Sequence, residues 1–249
     1  MLFYGLAPDM GPYGRFFARA WQHASTKAGC DCCCVRPLGG TGRNGHLQPS
    51  TRTDIRLLRF PPHTYTLQYP APGSPDVARH IRTLLQNAGI ANAADEQRGL
   101  DHGVFIPFIL AFPHADIPVV ELSLQMALDP AEHLAIGAAL APLRAQNVLI
   151  VGTGLSYHNL RHFMNGSPVT DQPAQAFDAW LTATACAPPP ERNLRLTQWA
   201  QAPGARLCHP REEHLLPLMI AAGAAGQDKG QQIYSDIVLG KALSGYRFG

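Results

Sequence analysis

The chain has 249 residues, of which 46% are hydrophobic and 15% are charged. This composition is typical of a globular protein with a substantial core, and it excludes a disordered chain. The formal net charge is only +2, so we expect neither nucleic acid nor an anionic membrane surface as a partner. No apolar run reaches the roughly 20 residues that span a bilayer. The N-terminus also lacks the pattern of a signal peptide, and we expect a cytoplasmic protein.

Predicted strands and helices alternate from about residue 60 to the C-terminus. The first two helices start at a polar N-cap followed by proline, and each strand is a short apolar run. In chain order the elements are a helix at 74–88, a strand at 117–124, a helix from 129 to about 143, a strand at 147–151, and helices at 173–185 and 215–225. This alternation predicts an α/β fold with a mostly parallel central sheet flanked by helices. We assign residues 1–249 to a single domain.

The N-terminal part of the chain does not follow this pattern. Residues 11–23 are predicted to be helical, but residues 25–59 have neither amphipathic periodicity nor an apolar strand. A stretch of this length without regular structure is unusual inside a compact domain. The segment contains Cys30 and the run Cys32-Cys33-Cys34, and no second cysteine pair follows at zinc-finger spacing. The spacing therefore disfavours a zinc site or a disulfide framework here.

Four of the 11 histidines lie in surroundings that suggest chemistry. His102 precedes an apolar segment, and His158 follows the predicted strand at 147–151. Open α/β sheets bind ligands at the carboxyl ends of their strands, so the turn that contains His158 is a favoured place for a site. His209 and His214 lie just before the last predicted helix. Imidazole is the commonest metal ligand and the usual acid–base group near neutral pH, although any single histidine can also be structural.

Other motifs carry little information. Gly152-Thr153-Gly154 resembles part of a dinucleotide-binding loop, but the third glycine is missing. His158 and His162 have the spacing of a helical metal pair, but no glutamate pattern accompanies them. The sequence also contains no Gly-x-Ser-x-Gly elbow and no Walker loop. Nucleotide binding is therefore disfavoured.

Six short motifs follow one another from residue 60 onward. They are Phe-Pro-Pro-His-Thr-Tyr at 60–65, Tyr-Pro-Ala-Pro-Gly at 69–73, Leu-Asp-His-Gly at 100–103, Ala-Asp-Ile-Pro-Val-Val at 115–120, His-Asn-Leu at 158–160, and His-Pro-x-x-x-His at 209–214. Together they resemble the DOPA-dioxygenase-type (class III, LigB-like) extradiol ring-cleavage dioxygenases. The resemblance covers roughly residues 60–249. It implies an α/β domain with one non-haem metal ion per chain, Fe(II) or Zn(II), held mainly by histidines.

The resemblance also implies roles for individual residues. His158 and His214 correspond to metal ligands of the family, and His102 corresponds to its acid–base histidine. We assign His209 to catalysis as well, either directly or by orienting the substrate or a metal-bound water.

These residue types suit ring opening. A metal with few protein ligands leaves positions for both hydroxyls of a catechol and for O₂. His102 can take a catechol proton and later return it as an acid, and Asp101 beside it can bias its protonation. We therefore expect an oxidoreductase that inserts O₂ to open a catechol-type aromatic ring. Its partners are the small aromatic substrate and O₂.

Two metal-ligand motifs of the family are missing. The sequence has no His-Gly near its start and no Ser-Ala-His-Trp-Glu before residue 60. His23, His46 and His63 are present in this region, but none has the expected neighbours. A catalytically impaired or non-enzymatic relative is therefore the alternative function. A zinc hydrolase is a third interpretation, because Glu212 and Glu213 lie beside His214.

We hypothesise that residues 25–59 are a frame-shifted translation of an ordinary family sequence. The segment 35–40 can be encoded GTC CGC CCA TTG GGA GGA, and reading one nucleotide later gives Ser-Ala-His-Trp-Glu. The segment 28–34 can likewise yield Arg-Val-Val-Ile-Val-Val, an apolar strand. As written, the chain would lack a central parallel strand and half of its metal ligands. We would then expect a product that folds poorly or binds no metal.

The nucleotide sequence of the gene tests this hypothesis. We expect the codon CCA for Pro37, because only this proline codon supplies the first two bases of the shifted histidine codon. Any other codon for Pro37 excludes the frame shift.

Overall fold

The structure is a computed structural model that describes residues 67–163 and 168–249, and the backbone of two strands at 31–36 and 45–49. The elements in chain order are β1 (Asp31–Arg36), β2 (Gly45–Pro49), α1 (Pro75–Asn87), β3 (Asn92–Ala94), α2 (His102–Ala111), β4 (Val119–Ser123), α3 (Pro130–Leu140), β5 (Val148–Gly152), α4 (Leu160–Phe163), α5 (Pro168–Ala185), α6 (Pro189–Thr197), α7 (Ala205–Cys208), α8 (Leu216–Ala224), β6 (Gly230–Val238) and β7 (Lys241–Phe248). The helix predicted at 11–23 lies outside the described residues. Within them, no helix is long and apolar enough to cross a membrane.

Five strands form one sheet in the order β3-β2-β4-β1-β5. Strand β1 pairs in parallel with both β4 and β5, and β2 pairs in parallel with β3. Strands β2 and β4 are antiparallel, so this is a mixed sheet in which three of the four described pairings are parallel. The predicted α/β fold is confirmed. Because β1, β4 and β5 run in the same direction, their carboxyl ends meet at one edge of the sheet.

Strand β1 occupies the centre of the parallel part of the sheet. Cys33 is in register with Val120 of β4 on one side and with Ile150 of β5 on the other. The expectation that the chain as written lacks a central strand is therefore wrong. Ladder hydrogen bonds use backbone groups, and cysteine behaves as a small hydrophobic residue, so a Cys-Cys-Cys-Val run is compatible with a strand paired on both edges.

The predicted helix starts are confirmed for α1 and α3. Helix α1 begins with Pro75 after the N-cap Ser74, and Gly89 beyond its end has a φ of 71°. The Asp129 side chain caps α3 by accepting hydrogen bonds from the backbone N–H groups of the next two non-proline residues. By contrast, α5 begins at Pro168 and not at the predicted position 173. Proline is a start signal, but it is also tolerated near the N-terminal end of a longer helix.

The C-terminal hairpin of β6 and β7 was not predicted. Leu239 and Gly240 form its two-residue turn, with φ values of 51° and 77°. Positive φ at both central residues is the geometry of a type I′ turn, for which the usual sequence signal is Asn-Gly or Asp-Gly. Leucine at the first position hides that signal. The hairpin packs against α5.

Helices α3 and α8 are in backbone contact. A Cβ atom on Gly137 of α3 would lie 2.1 Å from the carbonyl oxygen of Ile220, and one on Gly223 of α8 would lie 2.1 Å from that of Leu134. Only glycine allows helices to approach this closely. Helix α8 begins two residues after His214, so this contact anchors the helix that follows the His214 segment.

The substitution Gly223→Ala tests the helix contact. We expect a loss of about 2–3 kcal/mol in the free energy of unfolding, measured by urea denaturation, because the methyl group overlaps backbone that cannot yield locally. Gly226→Ala is the matched control, since it has a φ of 57° but no atom within 4 Å of the added Cβ. It should lose only about 1 kcal/mol through backbone strain. Equal losses in the two variants would contradict a close contact at Gly223.

Candidate metal centre

Two of the predicted site histidines lie against each other at the carboxyl edge of the sheet. The rings of His158 and His214 are stacked, with centroids 3.3 Å apart and planes 15° apart. His158 belongs to the loop that leaves β5, and His214 belongs to the segment that leads into α8. The fold thus brings together two residues that are distant in the sequence, as the motif pattern predicted.

The two segments that carry these histidines are joined to each other by hydrogen bonds. Three such bonds run from Leu155 N to His214 O (3.1 Å), from His158 N to Cys208 O (2.9 Å), and from Asn159 Nδ2 to Leu207 O (2.7 Å). A Cβ atom on Gly154 would lie 2.2 Å from the carbonyl oxygen of His214. The Gly152-x-Gly154 pattern therefore serves close backbone approach and not a dinucleotide.

Glu213 supplies a third donor group. One side-chain donor atom each from His158, Glu213 and His214 lie within 4.8 Å of one another. The Glu213 carboxylate also lies 3.2 Å from Nε of Arg211. Burial alone would raise the pKa of Glu213, but the interaction with His214 and the charge of Arg211 outweigh it and hold that pKa below its usual value. The carboxylate is therefore ionised at neutral pH and available to a cation.

Both imidazoles are neutral at pH 7. Burial, followed by the neighbouring His214, lowers the pKa of His158 to about 2, and burial also lowers the pKa of His214. His158 Nε2 and His214 Nδ1 are buried and have no hydrogen-bond partner in the described part of the chain. Buried nitrogen atoms without a partner are costly, and a neutral imidazole with a free lone pair is a good metal ligand. The residues present therefore fit a bound metal ion.

His102 is the first residue of α2, and the helix start around it is well defined. The Asp101 side chain accepts a hydrogen bond from Gly103 N (2.9 Å), and Asp101 N donates to the buried Glu121 carboxylate (3.1 Å). Glu121 of β4 and Val151 of β5 are both in register with Cys34 of β1. Because Asp101 bonds to Glu121, His102 begins its helix over the carboxyl half of the sheet. Among the described residues, His102 does not belong to the group of donor atoms around His158.

His209 is fully buried and contacts the backbone of the loop that carries His158. Its Nε2 lies 3.0 Å from the carbonyl oxygen of Ser156, and the rings of Phe177 and Trp199 lie 5.4 and 6.0 Å from its own. Burial lowers the pKa of His209 to about 4, and the hydrogen bond to Ser156 opposes this only in part. The imidazole is thus neutral and faces the loop backbone.

His133 and His162 make structural contacts. His133 is fully buried, accepts a hydrogen bond from Gln125 N (3.1 Å) and donates through Nδ1 to the Asp129 carbonyl (2.6 Å). His162 Nδ1 accepts from the Asn159 amide (3.2 Å), so the i, i+4 pair with His158 does not form a donor group. His63 lies outside the described residues.

The sequence motifs do not predict Glu213 as a candidate metal donor. Its only signal in the sequence is its position beside His214. A carboxylate next to a ligand in the chain faces the same site only if the turn directs it there, and a linear motif does not contain that turn.

An α/β fold with two histidines and a carboxylate at the carboxyl edge of its sheet defines a candidate metalloenzyme. The family model described as the catalytic LigB subunit of aromatic ring-opening dioxygenase matches residues 54–245. The chain belongs to this family.

Several relatives carry related descriptions. The chain is 42% identical over 180 residues to a 4,5-DOPA dioxygenase extradiol of Beta vulgaris, covering 70% of this chain and 65% of the relative. It is 39% identical over 201 residues to the dioxygenase tasH of Hapsidospora irregularis, covering 76% and 62%. The chain thus spans slightly less than two thirds of the length of these two relatives. A crystal structure of the uncharacterized protein JW3007 from Escherichia coli K12 superposes with a TM-score of 0.78 at 28% identity, covering 97% of this chain and 94% of the other.

The substitution Gly154→Ala tests whether backbone contact sets the spacing of the two histidines. The added methyl group would displace the His214 carbonyl, and we expect the affinity for Co(II) or Zn(II) to fall at least about 10-fold. Titration of the folded, metal-free protein measures this. Gly226→Ala is the control, because its φ of 57° strains the backbone beyond the C-terminal end of α8 while the added Cβ has no atom within 4 Å. The same loss of affinity in both variants would show that general destabilisation is responsible.

Proposed function

We propose that this protein is a metal-dependent dioxygenase that opens a catechol-type aromatic ring by extradiol cleavage with O₂. The observation that carries the proposal is the convergence of His158, His214 and Glu213 at the carboxyl edge of the sheet. The family membership supports the same chemistry.

His158, His214 and Glu213 would hold the metal, one Fe(II) or Zn(II) ion per chain. Two histidines and one carboxylate form the donor set of many non-haem Fe(II) oxygenases, which keep open positions for substrate and O₂. When bound, the metal supplies sites for both substrate hydroxyls and for O₂ and lets electron density pass from the ring to O₂. Fe(II) suits this chemistry better, because zinc has no redox chemistry.

The protein's own residues handle the proton. We assign His102 to accept the proton of a substrate hydroxyl and to return it to oxygen when the O–O bond breaks. The ring carbon–carbon bond beside the two hydroxyls breaks, and both atoms of O₂ enter the product. The Asp101 cap and the Glu121 carboxylate hold the start of α2, and with it the backbone of His102.

A catechol is the substrate class, and DOPA is the first compound to test. Relatives from Beta vulgaris, Mirabilis jalapa and Escherichia coli carry the description 4,5-DOPA dioxygenase extradiol, at 42%, 35% and 34% identity. The proposal includes neither nucleic acid nor a membrane as a partner, and it places the reaction in the cytoplasm of the cell.

A catalytically impaired relative is the second candidate. One specific observation favours it, namely that the His-Gly and Ser-Ala-His-Trp-Glu motifs are missing before residue 60. We propose that residues 25–59 are frame-shifted within a single domain of 1–249. In support, β1 coincides with the segment whose shifted reading is an apolar strand. The shifted Ser-Ala-His-Trp-Glu would start at the carboxyl end of β1, where Val35 is in register with Gly152 of β5.

Metal analysis combined with oxygen uptake tests the proposal. We expect the chain, loaded anaerobically with Fe(II), to hold one iron ion and to consume one O₂ per catechol with formation of a coloured ring-opened product. His158→Ala and His214→Ala should each lose iron and at least about 10³-fold of the activity, because each removes a ligand. His162→Ala is the matched control, since this neighbouring histidine is not a donor.

The outcomes separate the candidates. Stoichiometric iron without oxygen uptake would favour the impaired relative. Zinc without oxygen consumption would favour hydrolysis. A folded chain that binds no metal would refute the proposed metal centre.

A further inference from the structure

Ser156 is held from two sides by groups outside its own loop. Its carbonyl oxygen accepts a hydrogen bond from His209 Nε2 (3.0 Å), and its hydroxyl oxygen accepts one from Ser244 N in β7 (2.9 Å). The Ser244 hydroxyl in turn donates to the Asp178 carboxylate of α5 (2.9 Å). Ser156 lies two residues before His158, so these bonds fix the backbone from which the His158 side chain projects.

The bond from His209 defines the state of its ring. A carbonyl oxygen only accepts hydrogen bonds, so Nε2 must carry the proton and His209 is the Nε2–H tautomer. The ring is fully buried between Phe177 and Trp199. Its Nδ1 has no hydrogen-bond partner in the described part of the chain. Within the described part of the chain, the His209 side chain therefore makes its one hydrogen bond to the loop backbone.

The segment around His209 contacts the His158 loop at a second point. The amide of His209 bonds to Ala205 O (2.8 Å) and so continues the turn of α7, whose last residue is Cys208. The Cys208 carbonyl accepts the hydrogen bond of the His158 amide (2.9 Å). Consecutive residues thus bind the loop at Ser156 and at His158, and His214 follows five residues later.

We propose that His209 is a positioning residue of the metal centre, which acts through the Ser156 carbonyl to hold His158 against His214 before a metal ion or substrate binds. Its consequence for catalysis rests on the proposed function. The buried ring, surrounded by Phe177 and Trp199, has no exposed face for a substrate in the described structure. This distinguishes it from a catalytic residue, which would touch the substrate.

Three variants test the role of His209. His209→Leu removes the N–H donor, whereas His209→Gln offers an amide N–H at about the position of Nε2. Phe177→Leu is the control, because it loosens the packing around the ring but leaves the bond to Ser156. Two measurements are made on each full-length variant: hydrogen–deuterium exchange of peptides covering 153–160 in the metal-free protein, and the affinity for Co(II).

We expect His209→Leu to exchange at least about 10-fold faster in the loop peptides, with peptides from α3 and α8 unchanged. Its Co(II) affinity should fall about 10–100-fold, the usual effect of removing a group that orients a ligand. His209→Gln should restore both quantities to within about 3-fold of the wild type. Phe177→Leu should lower the melting temperature and leave loop exchange and affinity unchanged.

Other results would overturn the proposal. Unchanged exchange and affinity in His209→Leu together with loss of kcat would indicate a direct catalytic role. The same losses in Phe177→Leu would indicate packing alone. A failure of the proposed function gives a different result. If the wild-type chain binds no metal but its loop exchange still depends on residue 209, the dioxygenase proposal is refuted and the positioning role stands. Conversely, the wild type could bind metal and consume O₂ while loop exchange and Co(II) affinity stay unchanged in the residue 209 variants. That result would support the dioxygenase and refute the positioning role.

Discussion

The candidate metal centre depends on the close approach of two backbones, those of the loop after β5 and of the segment before α8. Gly154 has no side chain, and the position that its Cβ would take lies 2.2 Å from the His214 carbonyl. The Leu155 amide bonds to that same carbonyl. Any larger residue at position 154 would separate the segments and, with them, the two imidazoles. The close packing of α3 on α8 holds the C-terminal side of the His214 segment, because α8 begins two residues after His214.

Burial makes the histidine pair useful and also costly. Because burial suppresses protonation, His158 and His214 keep their lone pairs free at neutral pH. The same burial removes His158 Nε2 and His214 Nδ1 from water without giving them a hydrogen bond in the described chain. Such an energetic cost is typical of a functional site. The rest of the fold must hold these groups in positions that they would not adopt on their own. Backbone hydrogen bonds on both sides of the loop supply that hold.

The N-terminal fifth of the chain has a different status from the rest. The family model begins to match at residue 54, and the relatives match 70–76% of the chain. Strand β1 nevertheless lies at the centre of the parallel part of the sheet, and its carboxyl end lies at the edge that carries His158. The backbone position for further ligands therefore exists in the fold. What the written sequence lacks is the residue types of the two ligand motifs.

Local signals in the sequence were sufficient for α1, β4, α3, β5 and α8, whereas β3, α2, α4, α6 and α7 were not predicted and α5 begins earlier than predicted. Helix α1 starts at a serine and a proline, α3 is capped by Asp129, and β5 is a short apolar run. These features depend on neighbours in the chain, so the sequence contains them. The motifs also identified His158 and His214 as residues of one site, because both correspond to metal ligands of the family. The motifs themselves do not describe the contact between the two rings.

Tertiary structure alone decided the features that depend on distant backbone. The antiparallel pairing of β2 with β4, the turn that directs Glu213 towards His158, and the bond from His209 to Ser156 leave no periodic or local trace in the sequence. The same holds for the reason behind Gly152 and Gly154, whose neighbours lie in the segment 214–217. A linear sequence determines the type and order of elements through contacts within a few residues. Which side chains face one another across the sheet edge is decided only when the helices and strands pack.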